Sequence, residues 1–301
     1  MEKPLIAIFK SLFLFFLLSV FSSPLIARDD TRIWLAPGNS PKIEREVILV
    51  LPGLGDSRKG RNAQEKFFRD RGYDVYIPDF LDRHSFAESV KNLARFYDEQ
   101  GLSEYKKVHV FCYILGAFAL NEFLLSRDTH NIATIVYDRS PLQERAPYVV
   151  AEAIPGLGRL AVGNVVIDFS EVTYSPIVDT TLKIGIIVES KATRLIRIFK
   201  KTALQPGPIS WDPADLNQSY RDIHFTRLNH DQMYYRFDVV GEEIFHFIQK
   251  AEFSDHSMDM AYTWNPFKPW RQKDEKSVLE KSSVSGYQPS GNFYIKWFNY
   301  Q

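Results

Sequence analysis

Cys112 is the one cysteine of the chain, and a single thiol excludes an intrachain disulfide and any multi-cysteine zinc or iron–sulfur centre. It closes the run Lys107-Val108-His109-Val110-Phe111-Cys112, where a thiol ordinarily behaves as a small, inert, buried apolar group. Asp255, His256 and Asp259 carry ligand-type side chains, but they stand in a polar stretch and read as a solvated loop. Gly53-Leu54-Gly55 and Gly156-Leu157-Gly158 are glycine pairs at turns. Neither continues into the pattern of a phosphate loop. Arg194, Arg197, Lys200 and Lys201 recur at helical spacing among Leu195, Ile196, Ile198 and Phe199. They read as the solvent edge of an amphipathic helix, with contact to anionic lipid as the alternative. Nothing here calls for a cofactor or a metal.

The whole chain narrows the choices further. It has 301 residues, 37 basic and 37 acidic side chains and a net charge of +0. Such a balance offers no broad field for nucleic acid, so none is expected as a partner. With 45% hydrophobic residues the chain can bury the core of one large domain or two small ones.

Residues 1–27 stand apart from the fold. Lys3 and Lys10 precede an apolar run over residues 12–21, followed by Ser22, Ser23, Pro24 and a small residue, Ala27. This is the layout of a secretory signal peptide cut after Ala27, which places the protein outside the cytoplasm, secreted or periplasmic. An uncleaved anchor over residues 5–27, tethering the protein to a membrane, is the alternative.

The elements that position any chemistry follow as alternating strands and helices. Glu46-Val47-Ile48-Leu49-Val50-Leu51 is a short apolar run suited to a strand buried on both faces. Strands are also predicted over residues 73–78, 107–112, 132–137 and 182–188. Helices are predicted over residues 62–71, 85–100, 117–125 and 237–250, the last with Val240, Ile244, Phe247 and Ile248 on one face. The alternation predicts an α/β domain over residues 28–251: a mostly parallel central sheet with helices on both faces. Residues 146–181 are too long for a simple connection and read either as a short lid or as a surface excursion with one helix. Residues 252–301 form a polar extension with an aromatic end, Asn292-Phe293-Tyr294-Ile295-Lys296-Trp297-Phe298; that end is expected to dock on the domain, with binding of a partner as the alternative.

Three stretches resemble the α/β-hydrolase fold, in particular its lipase and esterase branch. Leu51-Pro52-Gly53-Leu54-Gly55-Asp56-Ser57 is similar to the loop that supplies one oxyanion-hole amide, with Pro52 where the family has histidine. Gly72-Tyr73-Asp74-Val75-Tyr76-Ile77-Pro78-Asp79 resembles the next strand. Cys112-Tyr113-Ile114-Leu115-Gly116-Ala117 stands at the Gly-x-Ser-x-Gly nucleophile elbow. On this alignment Cys112 replaces the first glycine and Ile114 takes the nucleophile position. Isoleucine has no lone pair to attack a carbonyl and no proton for a base to remove. Its β-branch also fits poorly in a strained elbow.

The resemblance implies further roles. His230, in Arg227-Leu228-Asn229-His230-Asp231-Gln232-Met233, falls where the family places its general base; the alternative is a histidine that caps or bonds near the 237–250 helix. Glu189 follows the strand that ordinarily precedes the triad acid, but serves only if its loop is reorganised. Ser140 follows a strand in a region that lines such sites without supplying the nucleophile. The backbone N–H groups of Leu54 and Leu115 stand where an oxyanion hole has its donors. An exported pseudohydrolase that binds an acyl or ester molecule is therefore expected. The alternative is an active carboxylic-ester hydrolase with a non-standard nucleophile, such as Cys112.

Overall fold

Along β2 (Glu46–Leu51), Val47, Leu49 and Leu51 pack into one apolar cluster, while Ile48 and Val50 pack into another. That period-two split is what a strand covered on both faces requires. Burying these five side chains is worth on the order of 10 kcal/mol before chain entropy is subtracted. The computed structural model describes residues 30–127, 130–178, 181–262 and 265–268. Residues 1–27 and the aromatic end at 292–298 lie outside the described residues. Among the described residues no helix is long and apolar enough to cross a membrane.

The other strands are β1 (Arg32–Trp34), β3 (Asp74–Ile77), β4 (Lys107–Cys112), β5 (Ile132–Arg139), β6 (Lys183–Glu189) and β7 (Asp222–Thr226). They form a seven-stranded sheet in the order β1-β3-β2-β4-β5-β6-β7. Only β1 runs antiparallel to its neighbour. From β2 the chain crosses to β3 on one side and then returns to β4 on the other. The carboxyl ends of β2 and β4 therefore flank a topological switch point, where sheets of this kind open a crevice.

The helices are, in chain order, α1 (Arg58–Arg69), α2 (Phe86–Glu99), α3 (Ile114–Leu125), α4 (Ala146–Ala153), α5 (Pro155–Val162), α6 (Val165–Glu171), α7 (Arg194–Ile198), α8 (Lys200–Ala203), α9 (His230–Tyr235) and α10 (Phe237–Lys250). Helices α2 and α3 cover one face of the sheet, with Phe86, Leu93, Leu120 and Phe123 in its core. Helices α1, α9 and α10 cover the other through Phe68, Met233, Val240, Ile244 and Phe247. The expected α/β layering is the architecture observed.

Several element bounds differ from the sequence expectation for local reasons. Helix α1 starts four residues early because the Ser57 side chain accepts the Gly60 N–H and caps it at Arg58. Helix α3 starts at Ile114 and not at Ala117, since Tyr113 is extended and the chain turns at once. The basic stretch 194–201 is not one helix: Phe199, at φ −100 and ψ 34, divides it into α7 and α8. Strands β1 and β7 had no apolar run to reveal them. Strand β7 is Asp-Ile-His-Phe-Thr, and its free edge is covered by the chain that follows α10. There Phe225 donates its N–H to Met258 O at 2.6 Å, and Phe253 N donates to the Asp222 carboxylate at 2.6 Å.

Candidate active site

Five carboxyl-terminal strand ends converge on one crevice. The loop Pro52–Gly55 leaves β2, Tyr113 and Ile114 leave β4, Asp138 lies near the end of β5, Glu189 ends β6, and His230 opens α9 just after β7. The opening of α9 is fixed locally. Asn229 accepts the Gln232 N–H at 2.9 Å, and the Gln232 side chain accepts the Asn229 N–H at 3.1 Å. This reciprocal capping box sets the histidine at the first helical position. His230 therefore does not cap α10, as one reading of the sequence had it.

The imidazole is engaged at both nitrogens. Nδ1 lies 2.6 Å from Glu189 Oε1 and 3.3 Å from Asp138 Oδ2. Nε2 lies 3.5 Å from the Tyr234 hydroxyl, one helical turn further along α9. Glu189 is thus placed against His230 with no reorganised loop, correcting the sequence expectation, because the side chain of the last β6 residue already points across the strand ends. Asp138 is a member of this cluster that the sequence reading did not single out. Its only signal was an acidic residue near the end of a largely apolar strand, Ile132–Arg139.

Both carboxylates are fully buried and His230 nearly so. Burial pushes the Glu189 carboxyl well above its ordinary value, and the neighbouring Asp138 charge pushes it the same way. Burial likewise raises Asp138, against the pull of His230. For His230 burial opposes the charged form, but Glu189 and Asp138 together outweigh it and hold the imidazole well above its usual range. The three groups form the one cluster among the described residues with metal-ligand spacing, their ligand atoms all within 4.8 Å of one another. A divalent ion there would have to displace the 2.6 Å Nδ1–Glu189 hydrogen bond. A proton shared by the cluster needs no displacement. Asp255, His256 and Asp259 do not assemble into such a cluster.

Ile114 stands at the first position of α3 in the wall of the crevice. The elbow is tight in one respect: a Cβ on Gly116 would overlap the Leu51 carbonyl oxygen of β2. It is not strained. Tyr113 sits at φ −78 and ψ 166, and outside glycine only Asn217 and Ala251 have positive φ among the described residues. The expected conflict between a β-branch and a left-handed elbow does not arise, because the turn has relaxed into an ordinary helix start. Cys112 is fully buried at the end of β4, where burial drives its thiol far up and leaves it inert. Ser140 is buried too, its oxygen accepting the Gln143 N–H at 3.1 Å.

Above these residues lies a cavity of about 290 Å³. Leu54, Leu115, Ile114 and His230 line its floor, and Pro147, Val150, Val162, Val166 and Phe169 form its roof. The roof is α4–α6, so residues 146–171 form three helices over the crevice and not one short helix. Helix α6 is anchored at the rim: Asp168 accepts the Phe86 N–H at 2.6 Å, and the Val165 N–H donates to Arg83 O at 3.1 Å. Arg194 is exposed, as a solvent edge requires, and also lines the cavity. The α3 amides of Ile114, Leu115 and Gly116 open the helix with no side-chain cap from Tyr113, and Leu115, with its first-turn N–H, lines the cavity. A second cavity, of about 370 Å³, lies at the opposite ends of β2 and β3. Asp74 there is already paired with Arg45, the Ala36 N–H and the Tyr105 hydroxyl.

The architecture is an α/β fold with a mostly parallel seven-stranded sheet. Neither a protein-family model nor a curated protein sequence matches the chain. Solved structures similar to it include a carboxylesterase of the thaumarchaeon Nitrososphaera gargenis, at 10% identity and a TM-score of 0.44, covering 73% of this chain and 98% of that one. The mouse alpha/beta hydrolase domain-containing protein 10 is similar at 10% identity and a TM-score of 0.46, covering 73% and 93%. The mature form of a Bacillus licheniformis lipase is similar at 13% identity and a TM-score of 0.45, covering 73% and 97%.

Proposed function

We propose that this protein is an exported binding protein of α/β-hydrolase-like build, which holds a small acyl or ester molecule in the crevice without hydrolysing it. The observation that carries this reading is Ile114 in the wall of the cavity at the nucleophile position, beside an otherwise equipped histidine. Among the described residues the hydrogen-bond and ion-pair partners of His230 are Glu189, Asp138 and Tyr234. None of them is an aliphatic hydroxyl or a thiol, so no proton transfer activates a nucleophile there. The apolar roof suits a hydrocarbon chain, and the Leu54 and Leu115 amides suit its carbonyl oxygen. The basic and then apolar order of residues 1–27 supports export.

The test uses purified protein, esters of several acyl lengths, a fluorophosphonate probe of serine hydrolases and a fluorescent fatty acid. The natural protein should turn over no ester, take no covalent label and bind the fatty acid. Val150→Trp, which fills the roof of the cavity, should weaken that binding. Ester turnover abolished by His230→Ala would show instead that the site is a working hydrolase.

A further inference from the structure

Three glycines in and after the β2 loop surround one side chain. A Cβ on Gly53 would lie 2.8 Å from the Tyr234 hydroxyl, one on Gly55 would lie 3.1 Å from the Tyr234 ring, and one on Gly60 would lie 3.0 Å from the Tyr234 Cβ. Real Cβ atoms do not approach neighbours that closely without displacing them. The glycines therefore leave room for Tyr234, not for a bound molecule. Its ring stacks on Tyr113 with centroids 3.9 Å apart and planes 12° from parallel. Gln64 fixes the pair from α1, donating to the Tyr113 hydroxyl at 2.7 Å and to the Tyr234 carbonyl at 2.9 Å.

The phenol oxygen sits between the two parts of a hydrolytic site. It accepts the Gly53 N–H at 3.1 Å and faces His230 Nε2 at 3.5 Å. At 1% exposure Tyr234 is sealed from the cavity, so its hydroxyl is not offered to a ligand. Glu189 and Asp138 hold Nδ1 from the other side. The imidazole thus cannot turn toward a new partner without breaking its 2.6 Å bond.

We infer that Tyr234 is a built-in occupant of the place where an attacking oxygen would meet His230, and that it keeps Nε2 engaged from within the protein's own helix. This rests on the binding-protein reading of the same site and adds a second block to the first. Position 114 lacks a nucleophile, and the base that would serve it is already taken. A hydroxyl introduced at position 114 must compete with the phenol for Nε2.

Three variants test this: Ile114→Ser, Tyr234→Phe and the two combined. Phenylalanine keeps the ring in its glycine seat and removes only the hydroxyl. In fluorophosphonate labelling, run at a pH high enough to leave the His230 imidazole neutral, the serine oxygen attacks phosphorus, fluoride leaves and the hydroxyl proton passes to His230 Nε2, so the labelling rate reads the availability of the base. Position 114 should label about 100-fold faster in the double variant than in Ile114→Ser, the lower range of general-base assistance. Equal rates in the two folded variants, or no labelling of either, would overturn the inference. A second readout needs no serine. The ring-nitrogen NMR shifts and titration midpoint of His230 should move in Tyr234→Phe alone, and unchanged values would overturn the inference as well. Labelling of the natural protein would refute the binding-protein reading, whereas equal variant rates refute only the role of Tyr234.

Discussion

Asp138→Asn should make this protein more stable, although it removes one member of the cluster around His230. Asp138 is fully buried, and neither of its oxygens accepts a well-formed hydrogen bond. Its charge is attracted by an imidazolium at 3.3 Å by about 5 kcal/mol at an effective dielectric of roughly 20. On the same scale Glu189, with ligand atoms within 4.8 Å, repels it by about 3 kcal/mol or more. The Coulomb terms nearly cancel, so the cost of stripping water from the charge, several kcal/mol, sets the sign. An asparagine amide also supplies a donor to Glu189 Oε2, which has no partner. The expected gain is about 2 kcal/mol near pH 8, the part of the desolvation cost left after the Coulomb terms. It would raise the melting temperature by about 4–8 °C.

The pH dependence follows from the same burial. Because burial raises the Asp138 carboxyl above its ordinary value of 3.8, its stabilising contribution is complete below that value and is lost as pH rises through the folded value. The variant escapes that loss, so its advantage should be larger near pH 8 than near pH 4, close to the ordinary carboxyl value. Urea unfolding at both pH values, with matching m-values, measures it. A variant less stable than the natural protein by about 1 kcal/mol or more near pH 8, or a gap that does not widen, would refute the reasoning.

Other consequences can be checked by the same means. Gly116→Ala should cost about 2–3 kcal/mol in thermal unfolding, since the new methyl meets the Leu51 backbone oxygen and no rotamer relieves it. His224 is pulled from 6.5 down to about 4 by burial, against Glu243 and Asp222. Its contribution, about 3 kcal/mol, is present above 6.5 and lost as pH falls toward 4. His224→Gln should flatten the stability profile across that interval in calorimetry, and an unchanged slope would count against the assignment.

Much of the layering was legible locally. The apolar run Glu46–Leu51 and the helical spacing of residues 237–250 announce their elements because burial of a strand or a helix face imposes its own period. Strand β7 was not legible: an Asp-Ile-His-Phe-Thr edge strand shielded by later chain needs no apolar run. That Ile114 has no lone pair to attack a carbonyl was legible, since this is a property of the residue and not of its surroundings. The environment of that residue was not, because a relaxed helix start and a strained elbow share one sequence pattern.

The sequence alone determined which atoms were on hand: one thiol, no serine at the elbow, a histidine before the last helices and glycines after the first long strand. Only the tertiary structure decided what those atoms meet. Asp138, Glu189 and His230 come from β5, β6 and α9, and nothing in their spacing along the chain brings them within hydrogen-bonding reach of one another. The glycines of the β2 loop read locally as freedom for a turn, yet the space they leave is filled by Tyr234 from far along the chain. Local chemistry fixes what a side chain can do; burial against distant neighbours decides which proton it holds and which partner it faces.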